Sequence, residues 1–179
     1  MGNIILMKAE LALDTRRQTH IVNLMDRTFP IVGALVLEKD HSTNYPRSIP
    51  RKVGPCFTYN CHGLTFGSRR TEIQSDQIPM ILEQDDYVCI AQNDVLPGDI
   101  AVYYSTGQQP GAISGDVEHS GIVLQRNEIG NILLISKWGA CDERVHFVAD
   151  TPYDSGDVRY YRINDSQPVN AAKTATGRK

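Results

Sequence analysis

The spacing of apolar residues divides the chain into a helical first part and a stranded second part. Over residues 4–26, Leu11, Leu13, Ile21, Val22, Leu24 and Met25 recur among charges with no proline before Pro30, which predicts helix. Residues 29–37 form an apolar, β-branched run that suits a strand or a buried connection. From 38 to 55 the chain turns to Asp40, Ser42, Asn44, Pro46, Ser48, Pro50, Gly54 and Pro55, with Arg47, Arg51 and Lys52 between them, which predicts an ordered surface loop. A short helix is expected over 75–84, with Ser75 or Asp76 as its cap and Pro79 in its first turn. Beyond it a turn at 94–99 feeds a strand at 100–104, and 121–124 and 132–135 flank 127–131 as a β-hairpin. A last strand follows at 158–163. The resulting class is α+β, with N-terminal helices packed on an antiparallel sheet. One domain is expected over 1–165, with residues 1–50 as an elaboration or lid and 166–179 as a disordered tail.

Composition narrows the partners. With 179 residues, 41% hydrophobic and 22% charged, the chain is long enough for one ordinary core and has no visible linker. A net charge of -3 gives no clustered basic excess, so a nucleic-acid partner is not expected. No run approaches the ~20 apolar residues of a membrane span. The first eight residues lack the charged lead, apolar run and cleavage site of a secretory signal. Cys56, Cys61, Cys89 and Cys141 are therefore read as reduced thiols.

A hydrolytic thiol needs a thiolate, a histidine to exchange its proton, and a group that orients the imidazole. Cys61 follows Tyr59-Asn60, which can cap a helix, and a cysteine that starts a helix has its negative charge stabilised by open N–H groups. Gly63 permits close approach of another chain segment, while Leu64 and Phe66 can pin the short helix to a core. His119 sits at the mouth of the strand 121–124, where it would be rigid yet face a cleft. These two residues are the candidate nucleophile and base.

The blocks Cys61-His62-Gly63-Leu64, Leu96-Pro97-Gly98-Asp99-Ile100-Ala101-Val102-Tyr103 and His119-Ser120-Gly121-Ile122-Val123 closely resemble the NlpC-like cysteine peptidases and the related CHAP amidases. Ser136-Lys137-Trp138-Gly139, His146 and Tyr160-Tyr161-Arg162 resemble a subgroup of uncharacterised bacterial proteins in the same superfamily. The resemblance implies a papain-like core, Cys61 as nucleophile, His119 as general base and the Cys61 N–H in an oxyanion hole. It implies cleavage of amide bonds through a thioester, with peptidoglycan peptides or related amides as substrate. A partner of the immunity or inhibitor type follows if the chain is a delivered toxin. Where the family carries its third catalytic residue this chain reads Ile135-Ser136-Lys137-Trp138-Gly139, so His146 and Ser136 are both candidates for that position. Tyr59 and Trp138 are expected near the substrate.

Blander readings accompany these. His62 is expected to be a solvated helix residue, Cys89 a core residue and Cys141 a partly exposed one. The cluster Arg47, Arg51 and Lys52 is expected to face water. A zinc site drawn from Cys56, Cys61, His62, Cys89, His119, Cys141 and His146 lacks the usual paired spacings, so no metal or other cofactor is expected. The Ser136-Lys137-Trp138-Gly139 segment also supports a different class of function: a catalytically inactive binding module of the same fold.

Overall fold

The computed structural model describes residues 9–24, 32–51, 56–109 and 111–164. Among them the elements in chain order are β1 (Asn23–Leu24), α1 (Val32–Asn44), β2 (Ile49–Pro50), α2 (Cys61–Phe66), β3 (Glu72–Ile73), α3 (Ile78–Gln84), β4 (Tyr87–Ile90), β5 (Ile100–Tyr104), β6 (Val117–Arg126), β7 (Ile132–Lys137), β8 (Glu143–Phe147) and β9 (Asp157–Ile163). Seven strands form one antiparallel sheet in the order β2-β8-β7-β6-β5-β9-β4, and β1 pairs with β3 apart from it. The class is α+β.

Alternation along β5 supplies two cores. Ile100, Val102 and Tyr104 point to one face, where they pack with Ile73, Ile78, Ile81 and Leu82. Ala101 and Tyr103 point to the other, joining Val123, Ile132, Leu134 and Tyr160. At about 25 cal/mol per Å² of buried apolar surface, these two clusters are the main source of stability. The central hairpin closes as expected: Asn127 N–H donates to Asn131 O at 2.9 Å, and Gly130 takes φ +86°. Its strands run longer than expected, so His119 lies inside β6 rather than in the loop before it.

The N-terminal half departs from expectation. The described part of the expected 4–26 helix, residues 9–24, is extended, with an Asp14–His20 bridge and the short strand β1. Buried Asn23 supplies what a helix ladder would otherwise give: its Oδ1 accepts from Leu11 N–H at 3.0 Å and from Thr71 Oγ1 at 2.7 Å, and its Nδ2 donates to Leu11 O at 2.9 Å. Within the 29–37 run a helix, α1, starts at Val32 and continues through the expected loop to Asn44. Its inward stripe is Ala34, Glu38 and His41, at the helical spacing i, i+4, i+7, while Leu35, Val36 and Leu37 are exposed. The apolar pattern is thus inverted relative to burial.

The 75–84 helix forms as a 3₁₀ turn (Ser75–Gln77) leading into α3, with Pro79 in its first turn. Neither Ser75 nor Asp76 caps it. Arg47 pairs with Asp150 at 2.5 Å. The expected tail, residues 166–179, and Lys52 lie outside the described residues. Among the described residues no helix is long and apolar enough to cross a membrane.

Candidate active site

Asn60 explains why α2 starts where it does. Its extended backbone and side chain form the N-cap: Oδ1 accepts from Gly63 N–H at 2.8 Å and from Ile73 N–H at 3.2 Å, and Nδ2 donates to Ile73 O at 2.7 Å. One amide side chain therefore caps the helix and ties it to β3. Gly63 is required by packing, because a Cβ there would lie 1.8 Å from Thr71 O. Leu64 is buried and Phe66 packs against the first core cluster, as the sequence suggests.

These contacts place Cys61 at the first position of α2. Pairing of β6 with β7 begins at Ile122–Ile135, so the start of β6 (Val117 to Gly121) is not paired with β7. The backbone N–H groups of Ser120, His62 and Cys61 itself point at the Cys61 sulfur and favour the thiolate. Burial outweighs them: the residue is 7% exposed, and its thiol is pushed up to about 11, with the Glu72 charge adding to the rise. This corrects the expectation of an ionised sulfur. In this arrangement the helix start moderates a desolvation cost that it does not overcome.

His119 follows the same rule. It is one residue from Ser120 along β6, pairs with Tyr103 on β5 and is fully buried. Among the described residues neither of its ring nitrogens has a hydrogen-bond partner. Burial first, and then the neighbouring His146 and His62, hold its pKa well below the usual histidine value. The expected open face toward a cleft is absent, because Tyr153 lies flat on the imidazole with centroids 3.7 Å apart and planes 9° apart. Cys61 and His119 are thus brought to neighbouring backbone positions, but they are both neutral and share no hydrogen bond.

Both candidates for the third position are occupied by each other. The Phe147 carbonyl can only accept, so His146 Nδ1 carries the proton and donates to it at 2.9 Å; Nε2 then accepts from Ser136 Oγ at 2.7 Å. Ser136 Oγ in turn accepts from Trp138 Nε1 at 3.1 Å. Neither Ser136 nor His146 orients His119, which corrects their assignment as third member. Burial holds His146 down at about 4.

Tyr59 and Trp138 also prove internal. Tyr59 donates to Glu143 Oε1 at 2.8 Å beneath Lys137, and Arg69 Nε donates to the same oxygen at 2.5 Å. Lys137 Nζ donates to Cys141 O at 2.7 Å. Trp138 is enclosed by His41, Tyr45, His146 and Arg144.

His62 is the largest departure among the blander readings. It is buried rather than solvated, and it anchors a directed chain of hydrogen bonds. Thr65 Oγ1 donates to Cys61 O at 2.9 Å and accepts from Ser120 Oγ at 3.0 Å. Ser120 Oγ therefore accepts from His62 Nδ1 at 2.9 Å, and Ser75 Oγ donates to His62 Nε2 at 3.0 Å. His62 is neutral in this chain, because burial lowers its pKa to about 4. It fastens α2 to β6 beside His119. Cys89 is exposed on the edge strand β4, whereas Cys141 is buried, the reverse of both expectations.

Sequence reasoning missed Tyr153. The turn composition of 150–156 marks a loop, but an aromatic residue in a loop carries no signal of what it covers. The loop is moored by Arg47–Asp150, by Thr106 N–H to Asp154 Oδ2 at 3.0 Å, and by Tyr103 O–H to Val148 O at 3.1 Å. A 450 Å³ depression bordered by Val148, Ala149, Ser155 and Gly156 lies against it. Comparison with family models, with curated proteins and with solved structures finds no match for this chain.

Proposed function

We propose that the chain is a cysteine hydrolase of amide bonds on a papain-like core of the NlpC and CHAP kind, with Cys61 as nucleophile and His119 as base. One observation carries the reading. A thiol at a capped helix start lies against the backbone of Ser120, and the adjacent strand residue, His119, is a buried imidazole with neither nitrogen partnered. Buried imidazole nitrogens rarely go unpartnered, and a site awaiting substrate is a recognised reason for it.

The described arrangement is the shut form. Substrate entry requires Tyr153 to leave the imidazole, which admits water and relieves the burial that opposes charge on both groups. His119 then takes the Cys61 proton, the thiolate adds to the amide carbonyl, and the oxyanion forms at the Cys61 N–H. His119 returns the proton to the leaving amine, and water hydrolyses the thioester. By resemblance the substrates are peptidoglycan peptides or related amides. The wild-type chain should release amine from muropeptides, and Cys61→Ala should not while keeping its circular dichroism spectrum. Undiminished release by Cys61→Ala would end the proposal.

The buried, unbonded pair also favours a second reading, a binding module without catalysis. Iodoacetamide separates the two: selective labelling of Cys61 in the presence of substrate peptides supports the hydrolase, and uniformly slow labelling supports the module.

A further inference from the structure

Residues away from this site also gather into a group with the chemistry of a metal centre. Glu38 and His41 stand one turn apart on the inward stripe of α1, and Cys141 comes from the turn between β7 and β8. One ligand atom from each lies within 4.8 Å of the other two. Two further facts point inward. His41 Nδ1 is sealed from solvent and, among the described residues, has no hydrogen-bond partner. Cys141 is 1% exposed, and its thiol makes only a long 3.7 Å contact to Ala34 O. Both of the softer donors therefore lack a strong partner, while the carboxylate is held. Arg144 donates to Glu38 Oε1, and Asp142 N–H donates to Oε2 at 3.0 Å.

We infer that Glu38, His41 and Cys141 form a three-residue site for a zinc-class divalent cation, with water as the fourth ligand. The donor set of one carboxylate, one imidazole and one thiolate is of the nitrogen, oxygen and sulfur kind that zinc takes. Zinc bond lengths of about 2.0–2.3 Å place tetrahedral donors roughly 3.3–3.8 Å apart, so atoms already within 4.8 Å of one another need close by no more than about 1.5 Å. Binding forms the Zn–S bond and releases the Cys141 proton to solvent; neutral His41 coordinates through its Nδ1 lone pair. Arg144, fixed by Ser48 Oγ at 2.7 Å and Ser42 Oγ at 2.6 Å, orients the Glu38 carboxylate as an outer-shell partner. The site would pin α1 to the β7–β8 turn and is independent of Cys61 and His119.

The test uses the full, reduced chain titrated with Co²⁺ as the optical stand-in for Zn²⁺. The expected result is about one equivalent bound with a thiolate-to-cobalt charge-transfer band that Zn²⁺ abolishes. Cys141→Ser should lose the band, His41→Gln should weaken affinity at least about tenfold, and Cys61→Ala should keep both unchanged. Should Cys141→Ser fail to fold, His41→Gln, with a half-buried side chain, decides. No band in the wild type overturns the inference, as does full affinity in His41→Gln or loss of the band in Cys61→Ala.

Discussion

Acidification should unfold this protein well before its carboxylates titrate, because its core histidines are buried neutral. His62 and His146 are each held at about 4 by burial, against an ordinary value of 6.5. An unfolded chain takes up a proton at each residue near pH 6.5, while the folded one does so only near pH 4. Stability is therefore full above pH 7 and is lost as pH falls through that window. Linkage makes the loss about 2 kcal/mol per histidine between pH 7 and pH 5, or about 4 kcal/mol for the two. His119 adds to it in the same direction. Exposed His20, raised by its hydrogen bond to Glu10, has the opposite sign. Total stability of an ordinary domain is about 5–15 kcal/mol, so this loss removes a large part of it. Urea titrations at a series of pH values measure the effect. With a slope of about 2 kcal/mol per M, the midpoint should drop by about 2 M from pH 7 to pH 5. In His62→Gln, whose amide can take over one of the serine contacts, the drop should shrink by about 1 M, the share of one histidine. A midpoint that stays flat between pH 7 and pH 5 would refute the reasoning.

Three substitutions test the parts that build the site. Gly63→Ala forces a methyl group into the Thr71 carbonyl, 1.8 Å from where it must sit, and should cost more than about 3 kcal/mol or prevent folding, read by thermal melts. Asn60→Ala removes the cap of α2 and both side-chain bonds to Ile73; a loss of about 3 kcal/mol is expected in urea unfolding, and a loss under 1 kcal/mol would contradict the assigned role. Tyr153→Ala uncovers His119 and should raise iodoacetamide labelling of Cys61 at least about tenfold at neutral pH, by peptide mass spectrometry. Unchanged labelling would mean that another part of the chain seals the thiol.

The stranded half was legible because its residues obey local rules. Apolar alternation along 100–104, the 127–131 turn and the Asn60-Cys61 junction each specify their own structure, and each formed in place. The N-terminal half did not follow local rules. The inward stripe of α1 holds Glu38 and His41, whose burial depends on Arg144 and Cys141, about a hundred residues away, so its apolar residues mark the wrong face. Asn23 likewise holds residues 9–24 extended through bonds to Leu11 and Thr71, which composition does not reveal. At the candidate site the capped helix start that carries Cys61 was readable from the sequence, and so was the strand that carries His119. The electrostatic state of the two residues was not, because it depends on Tyr153 and on which groups close over the imidazole. The third position misled for a related reason: Ser136 and His146 have suitable chemistry, but β7 and β8 pair so that they bond each other.

His62, one of the histidines that set the acid limit, also holds the helix that carries Cys61. The directed chain from Ser75 through His62, Ser120 and Thr65 ends on the carbonyl of Cys61; protonating His62 reverses the Ser75 contact and puts a charge in a buried site, which loosens the attachment of α2 to β6. An acid limb in the proposed hydrolysis would then mix two events: protonation of the proposed Cys61–His119 pair and loss of this attachment. They separate by variant. A substitution at His62 should shift the acid limb together with the urea midpoint, whereas Tyr153→Ala, which alters the surroundings of His119, should shift the limb of kcat/KM at every pH where the fold is intact. If His62 variants move the midpoint and leave the activity limb in place, the attachment of α2 does not position the thiol, and the hydrogen-bond chain serves stability alone.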